Sequence, residues 1–463
     1  MKPYTTLVVG GGVSGLVAAR DAACAGHRVL LIEAGTNVGG SVTRDVVGGV
    51  EVELGADAFA HARPEIAVLA KELGIAEQIV SPHVYQAFLR RNGTNVPLPP
   101  SLMGVPLAYD TIGDVLGADA AKTAAARDAL PLPADLPESF GELLRLRLGD
   151  TVVEQMIDPV VSGVHASPAD VVETVSILPG FPDVVRRHGS VVAAARHLRG
   201  TLGSAGAPVS GFTRGMSSLI GALRDDLDRR GVTVKTSTAA HRIRYANHDF
   251  VVDTADASYT AKNVIVALPA HAARAVFEAP DLAKTAQIRD LLGAFDTTDV
   301  TLVALLVRLE GFSDTDTPVG SGVLVAPKQP DVRAKALTHV SAKWADVRLN
   351  LPQHTHLFRL SYGGTEPVPD LDEHQLVALA RNDLAALLHT QTQAVSVDAA
   401  RVVQWKAALT RPTVGRMATV AALDAVTQEI PGVAFVGNAY AGNGLAGVVG
   451  RARRESSRIL KGV

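Results

Sequence analysis

The chain has 463 residues, 47% of them hydrophobic, with 44 Lys+Arg against 47 Asp+Glu and a formal net charge of -3. That length exceeds what one compact core fills, so two or more lobes are expected, and the lack of an overall basic excess argues against a nucleic-acid partner. The one cysteine, Cys24, rules out an internal disulfide, and no apolar run approaches the roughly 20 residues that span a bilayer.

The opening "MKPYTTLVVGGG" has only a short apolar run, less than a secretory signal needs. A cytoplasmic chain is expected, with contact between an apolar patch and a membrane surface left open. "TTLVV" reads as a buried strand, "GGGVSG" as a turn and "VSGLVAARDAACAG" as a helix closed by Gly26. Cys24 falls inside that helix and is expected to be a small buried hydrophobe. "HRVLLIEAG" is a second, almost wholly apolar strand, as in a parallel sheet buried on both faces. Together they form a βαβ unit.

"GGVEVELGADAF" then alternates like a strand, and "RPEIAVLAKELGI" has the spacing of a helix. "YQAFLRRNGTNVPLPPSLMGVP" reads as a hairpin and a proline-rich loop, and residues 111–150 as mostly helical. Near residue 211 the nucleotide-fold pattern returns. "GMSSLIGALRDDLDRRG" is an amphipathic helix, and "NVIVALPA" a buried strand. A further insertion carries the strands "TLVALLVRL" and "HLFRLSYGG", before "PGVAFVGNAYAGNGLAGVVGRARRESSRIL" closes the chain as strand, turn and helix. The expected fold class is α/β (α+β), with residues 1–80, 211–270 and 400–463 forming one discontinuous Rossmann-type domain. Residues 81–210 are then a largely helical insertion, and 271–399 a substrate-binding domain with a mixed sheet.

Gly10, Gly12 and Gly15 form G-x-G-x-x-G around Gly11, Val13 and Ser14. In this motif the first glycine permits a tight turn, the second lets a pyrophosphate approach the backbone, and the third lets helix and strand pack closely. The helix N-terminus adds free N–H groups and partial positive charge. Glu33, ending the second strand, is placed to accept hydrogen bonds from an adenosine ribose. An NAD-binding domain would continue with a second mononucleotide half. Here Gly39 and Gly40 make another close turn instead, and Gly442 and Gly444 open a distant second helix at Leu445 and Ala446. A long dinucleotide with a second anchoring point, FAD, explains this arrangement better than NAD.

At these residues the sequence resembles the FAD-dependent oxidases of haem biosynthesis, protoporphyrinogen oxidase and coproporphyrinogen III oxidase, within the flavin amine oxidase superfamily. "VVGGGVSGLVAA" and "VLLIEAGTNVGG" match the superfamily at large. "VELGADAFAHARPE", "LRLGDTVVEQMIDPVVSGVHASPAD", "SGVLVAPKQ", "ALTHVSAKW" and "NAYAGNGLAG" resemble the bacterial porphyrinogen oxidases more particularly, in the style of the actinobacterial, coproporphyrinogen III-oxidising branch. The resemblance implies that residues Gly10 to Gly15 hold the pyrophosphate, that Glu33 and Ala34 meet the ribose, and that Gly55, Ala56, Asp57 and Ala58 approach the flavin ring. It further implies that Ala240 offers main-chain contacts to adenine, that Trp405 stands near the flavin, and that Gly444, Leu445 and Ala446 make the final contacts. Ser41 departs from the basic or bulky residue usual beside the second glycine pair, Ala240 from the usual valine, and "GRARRESSR" is unusually basic; that last run reads as a solvated helix end.

The implied substrate is a porphyrinogen with propionate arms, taken through three two-electron oxidations with oxygen as acceptor and hydrogen peroxide as by-product. Transient product transfer to a ferrochelatase would follow. Substrate nitrogens and water can carry the proton, so no catalytic side chain is assigned. Propionates call for Arg or Lys. Arg90 and Arg91 in "FLRRNG" are candidates, though on a strand at most one faces a cleft, and as hairpin charges both would be solvated. Arg44, Arg63 and Lys406 are further candidates. His354 and His356 could share a strand face, but no other ligands stand at metal-site spacing. The competing readings are another amine oxidase or desaturase, disfavoured by 4% aromatic content, and a non-catalytic porphyrin-binding protein.

Overall fold

The computed structural model describes residues 4–201, 209–313, 315–364, 367 and 370–460. At its centre is a parallel five-stranded sheet in the order Thr233–Lys235, Val29–Ile32, Thr6–Val9, Asn263–Val266, Val433–Phe435. Four of these strands are buried along their whole length, which is why they read as apolar runs rather than alternations. Helices Val13–Cys24, Ser217–Arg229 and Leu445–Leu460 cover one face through Leu16, Val17, Leu223 and Val449. The other face packs on Ile243, Phe250 and Val252, from the antiparallel strands Arg242–Ala246 and Asp249–Asp253, and on Phe277.

A second, seven-stranded mixed sheet runs in the order Val395–Thr410, Thr297–Leu309, His356–Gly363, Ala336–His339, Gly322–Val325, Ala87–Arg91, Thr94–Pro97. Helix Glu373–Leu387 packs on one face with Leu305, Phe358, Leu360 and Tyr362. The opposite face meets the hairpin Arg44–Val47 and Val50–Glu53 through Val47, Val52, Leu54, Leu306 and Leu357. This contact joins the two lobes. The helices between residues 110 and 201 form a third core around Phe140, Leu144, Met156 and Phe181. Inside it Arg147 pairs with Asp128 at 3.0 Å, and Asp128 also accepts from Tyr109, Ser190, Val191 and Val192. A buried ion pair is tolerated when its remaining hydrogen-bonding capacity is filled in this way.

The structure differs from the sequence expectation in several places. Residues Val395–Thr410 pair with Thr297–Leu309 in the second sheet, so the stretch after residue 400 begins in that lobe. The hairpin Ala87–Arg91 and Thr94–Pro97, expected to start a helical insertion, instead extends the same sheet beside Gly322–Val325. Alternation reveals a strand, but tertiary packing chooses its partner. Cys24 is exposed at the last position of the first helix rather than buried. His354 lies in a left-handed turn before the strand that begins at His356, so the two do not share a face.

The basic run of the last helix is not a solvated end. Arg451 is buried, pairs with Asp424, donates to the Phe435 carbonyl at 3.1 Å and lies 5.1 Å from the Tyr440 ring centre. Arg453 makes a bidentate pair with Glu72 at 2.8 Å for both bonds, and Arg458 donates to Val433 and Glu455. Apart from Glu455, which lies on the same helix, their partners Asp424, Phe435, Glu72 and Val433 come from other chain segments, so these cations tie the helix to its neighbours.

Candidate active site

The glycine turn after the first strand sits at the C-terminal edge of the parallel sheet. Gly10 has φ +106°, and a Cβ there would stand 2.6 Å from the Ala267 carbonyl oxygen. A Cβ on Gly15 would meet the Gly10 carbonyl oxygen at 1.9 Å, which shows how closely helix and strand are pressed together. Gly12 is the opposite case: it caps the helix N-terminus, no side chain caps with it, and a Cβ there would meet nothing within 4 Å. The first turn of that helix carries no acidic residue, and Val13 and Ser14 are buried behind it. Open space in front of uncapped N–H groups is the cradle that a pyrophosphate fits.

Glu33 reaches back to this turn. Its two carboxylate oxygens accept from the Gly11 and Gly35 N–H groups, each at 2.6 Å. Each oxygen keeps a further lone pair, so the carboxylate can still receive ribose hydroxyls beside exposed Ala34. The loop carrying Ala240 runs alongside, with Ser237 and Thr238 N–H groups donating to the Gly35 and Glu33 carbonyls at 2.8 Å. Gly39 donates to the Gly11 carbonyl at 2.8 Å. Exposed Ser41 accepts from Ala56 through its main-chain oxygen at 2.9 Å, and a Cβ on Gly55 would stand 1.8 Å from that same oxygen. Residues 39–41 and 55–58 thus form one layer over the first turn.

The last helix supplies a second open N-terminus. Its first turn holds no acid, and Cβ atoms on Gly442 and Gly444 would meet nothing within 4 Å, while Leu445 and Ala446 are buried behind them. Asn443 fastens this turn to the second sheet, accepting from Thr410 N–H at 3.2 Å and donating to the Thr410 carbonyl at 3.0 Å. Trp405, on the same strand, donates its indole N–H to the Leu54 carbonyl at 2.9 Å and so meets the 55–58 loop.

Asp57 is held by side chains of the second lobe that sequence reading did not single out. Lys343 donates to its carboxylate at 3.0 Å, Arg359 lies at 3.4 Å, and the Trp344 indole adds a hydrogen bond. Burial would raise its pKa, but the two cations outweigh burial and hold it well below the usual carboxylate range. Arg359 also donates to the Glu53 and Gly55 carbonyls at 2.9 and 3.1 Å. A cavity of about 820 Å³ opens on this cluster, walled in part by Asp57, Arg359, Trp344, Val340 and Phe212, and falls in the size range of small-molecule sites. Glu53 on its wall has its pKa pushed up to about 6 by burial, against hydrogen bonds from Ser217. Lys343 and Trp344 end the "ALTHVSAKW" match; Arg359 carries no local signal.

The sequence candidates for propionate binding all have other partners. Arg90 is buried against Asp331, Asn95 and His389, and Arg91 donates to the Val115 carbonyl at 2.5 Å, so neither is a solvated hairpin charge. Arg44 pairs with Glu51, Arg63 with Glu65 and Lys406 with Asp299. His356 instead meets His339, with 3.3 Å between ring nitrogens, and burial together with His356 and Arg348 depresses His339 to about 3. Among the described residues no group of three His, Cys, Asp or Glu could hold a metal, and no helix is long and apolar enough to cross a membrane.

A parallel sheet with two open helix N-termini at its glycine-lined edge defines a dinucleotide-binding protein. The chain belongs to the flavin containing amine oxidoreductase family, whose model matches residues 13–460, and is an FAD-dependent oxidase of that family. It is similar to the coproporphyrinogen III oxidase of Mycobacterium tuberculosis (strain ATCC 25618 / H37Rv), 28% identical over 470 residues that cover 100% of this chain and 98% of the relative. The enzyme of the same name from Mycobacterium leprae is 30% identical over 412 residues, 86% of each chain, and that of Bacillus subtilis 24% identical over 476 residues, 98% and 97%. A crystal structure from Exiguobacterium sp. 255-15, provisionally named a protoporphyrinogen oxidase, superposes with TM-score 0.85 at 24% identity, covering 100% and 99% of the two chains. Reduced UDP-galactopyranose mutase also superposes, with TM-score 0.75 at 12% identity over 100% and 94%, so the fold alone does not fix the reaction.

Proposed function

We propose that this protein oxidises coproporphyrinogen III to coproporphyrin III, with molecular oxygen as acceptor and hydrogen peroxide as by-product. The observation that carries the reading is the end-to-end similarity to enzymes of that name, 100% of this chain against 98% of the Mycobacterium tuberculosis relative. It is supported by a glycine-lined cradle that a dinucleotide fits. FAD supplies the two-electron acceptor chemistry when bound. In this reading Gly10 to Gly15 take the pyrophosphate, Glu33 and Ala34 the ribose and the Ala240 main chain the adenine. Residues 55–58, with Ser41 behind them, Trp405 and Gly444 to Ala446 surround the ring. Lys343 and Arg359 act through Asp57, fixing the 55–58 backbone so that a substrate carbon can be presented at one face. Three rounds remove six electrons and six hydrogens from the macrocycle, and three oxygen molecules leave as peroxide. No side-chain base is needed, because the pyrrole protons can leave to water.

The test is steady-state oxidation of coproporphyrinogen III and protoporphyrinogen IX by FAD-loaded protein, followed by porphyrin fluorescence. The reading expects the higher kcat/KM with coproporphyrinogen III. Preference for protoporphyrinogen IX would move the substrate, and oxidation of neither would overturn the reading.

A further inference from the structure

The carboxylate arms of the proposed substrate need cations that face open space. Two such cations stand where a pair of cavities meet. The cavity of about 820 Å³ on the Asp57 cluster is apolar over much of its wall, through Val50, Val52, Val80, Phe212, Trp344 and Val347. A second, more open space of about 470 Å³ lies beside it. Arg44, Thr213 and Arg214 line both, so these side chains border the two spaces at once. The wall of the smaller space carries those two cations and the hydroxyls of Thr213 and Ser218 against one acid, Asp225.

Of the two cations, Arg214 is the less committed. It follows the strand Val209–Phe212 in a turn closed by the Gly215 N–H on the Phe212 carbonyl at 2.8 Å, and the Thr213 N–H donates to the Gln78 carbonyl at 2.8 Å. The backbone is thus fixed while the guanidinium is free to turn. Its one ion pair among the described residues is with Glu51, at 3.9 Å, beyond hydrogen-bond reach. Arg44 spends one N–H on the same Glu51 at 2.7 Å. Two guanidiniums therefore share one carboxylate, and this part of the rim keeps a positive charge. All three side chains are well exposed, and an exposed pair of this kind is weakly held and readily exchanged. The deeper acids are committed elsewhere: Glu53 accepts from Ser217, and Asp57 is held by Lys343 and Arg359. Asp346 lines the larger cavity but not the smaller one.

We infer that the macrocycle lies in the larger cavity with one carboxylate arm over the shared wall, gripped by Arg214 and Arg44 in place of Glu51; the assignment rests on the porphyrinogen reading above. The planar fork of a guanidinium matches both oxygens of a carboxylate. Asp57 lines the same cavity, so a ring seated there lies beside the 55–58 loop that the reading sets against the flavin. The apolar walls take the ring, and the arm leaves toward the side where cations outnumber acids.

Equilibrium binding of coproporphyrin III to FAD-loaded, full-length protein, read by porphyrin fluorescence, tests this. At pH 7 Arg214→Gln is expected to raise Kd about tenfold, and Arg214→Lys to recover part of the loss. Glu51→Gln is expected to lower Kd roughly threefold, because it removes the acid that competes for both cations; a merely structural role for these residues would give no such gain. The difference between wild type and Arg214→Gln should shrink in about 1 M salt. Equal affinity in wild type, Arg214→Gln and Glu51→Gln would overturn the assignment and leave the functional reading standing. Wild-type protein that neither binds coproporphyrin III nor oxidises coproporphyrinogen III would overturn both.

Discussion

Two glycines of one motif, three residues apart, are expected to fail in opposite ways when they gain a side chain. At Gly15 the new Cβ would stand 1.9 Å from the Gly10 carbonyl oxygen. An ordinary carbon–oxygen contact is about 3.3 Å, so helix and strand must part by roughly 1.4 Å at a buried position. Overpacking against backbone that cannot rotate away costs about 3 kcal/mol or more. At Gly12 the Cβ meets nothing within 4 Å and the backbone is extended, φ -69° and ψ 176°. Gly12→Val thus costs the apoprotein only the poorer helix cap, about 1 kcal/mol, while filling the space in front of the N–H groups. A ligand at a thousand times its Kd stabilises by about 4 kcal/mol, and that increment should vanish in Gly12→Val. Thermal unfolding of each apoprotein with and without FAD, together with flavin absorbance after gel filtration, separates the two effects. Gly15→Ala is expected to lower the apoprotein midpoint sharply. Gly12→Val should keep a near wild-type apoprotein but show no FAD-dependent shift. Yellow Gly12→Val protein at wild-type stoichiometry, or a Gly15→Ala apoprotein of wild-type stability, would refute the reasoning.

Other consequences follow from the charges around the interlobe contact. Asp57→Asn leaves Lys343 and Arg359 without their carboxylate and is expected to cost about 3 kcal/mol in urea unfolding at pH 7. Because the native pKa of Asp57 is depressed, that stability is present above the ordinary aspartate value and lost as pH falls below it; an equal loss at pH 7 and pH 2 would contradict the pairing. Glu53 is the reverse case. Its pKa is raised to about 6 from 4.5, so the native state binds the extra proton, and stability falls as pH rises through that window. Glu53→Gln should add about 1–2 kcal/mol at pH 8 and little at pH 4; no gain at pH 8 would remove the buried-carboxylate explanation. Arg451→Met, which strands Asp424, should destabilise by about 3 kcal/mol, whereas exposed Arg186→Met should change unfolding by less than about 0.5 kcal/mol.

The sequence made most visible what depends on neighbours along the chain. Thr6–Val9, the glycine turn, helix Val13–Cys24 and the acid at Glu33 follow from local pattern, because strand burial, turn chemistry and helix entry are local events. Partnership was not visible. "FLRRNG" looks like a pair of surface charges, yet Arg90 is buried on Asp331, which lies far along the chain. "GRARRESSR" looks like a solvated end, yet Asp424 and Glu72 reach it from other segments. Cys24 misled in the other direction, since one residue of helix phase decides between core and surface.

The central claim is tested most directly by mixing FAD-loaded protein with coproporphyrinogen III in air-equilibrated buffer and recording porphyrin fluorescence and oxygen uptake together. The account predicts coproporphyrin III formed with three oxygen molecules consumed per macrocycle, and no oxygen uptake with putrescine or other amines. Oxygen uptake with amines alone, or flavin-replete protein that leaves the porphyrinogen unchanged, would contradict it.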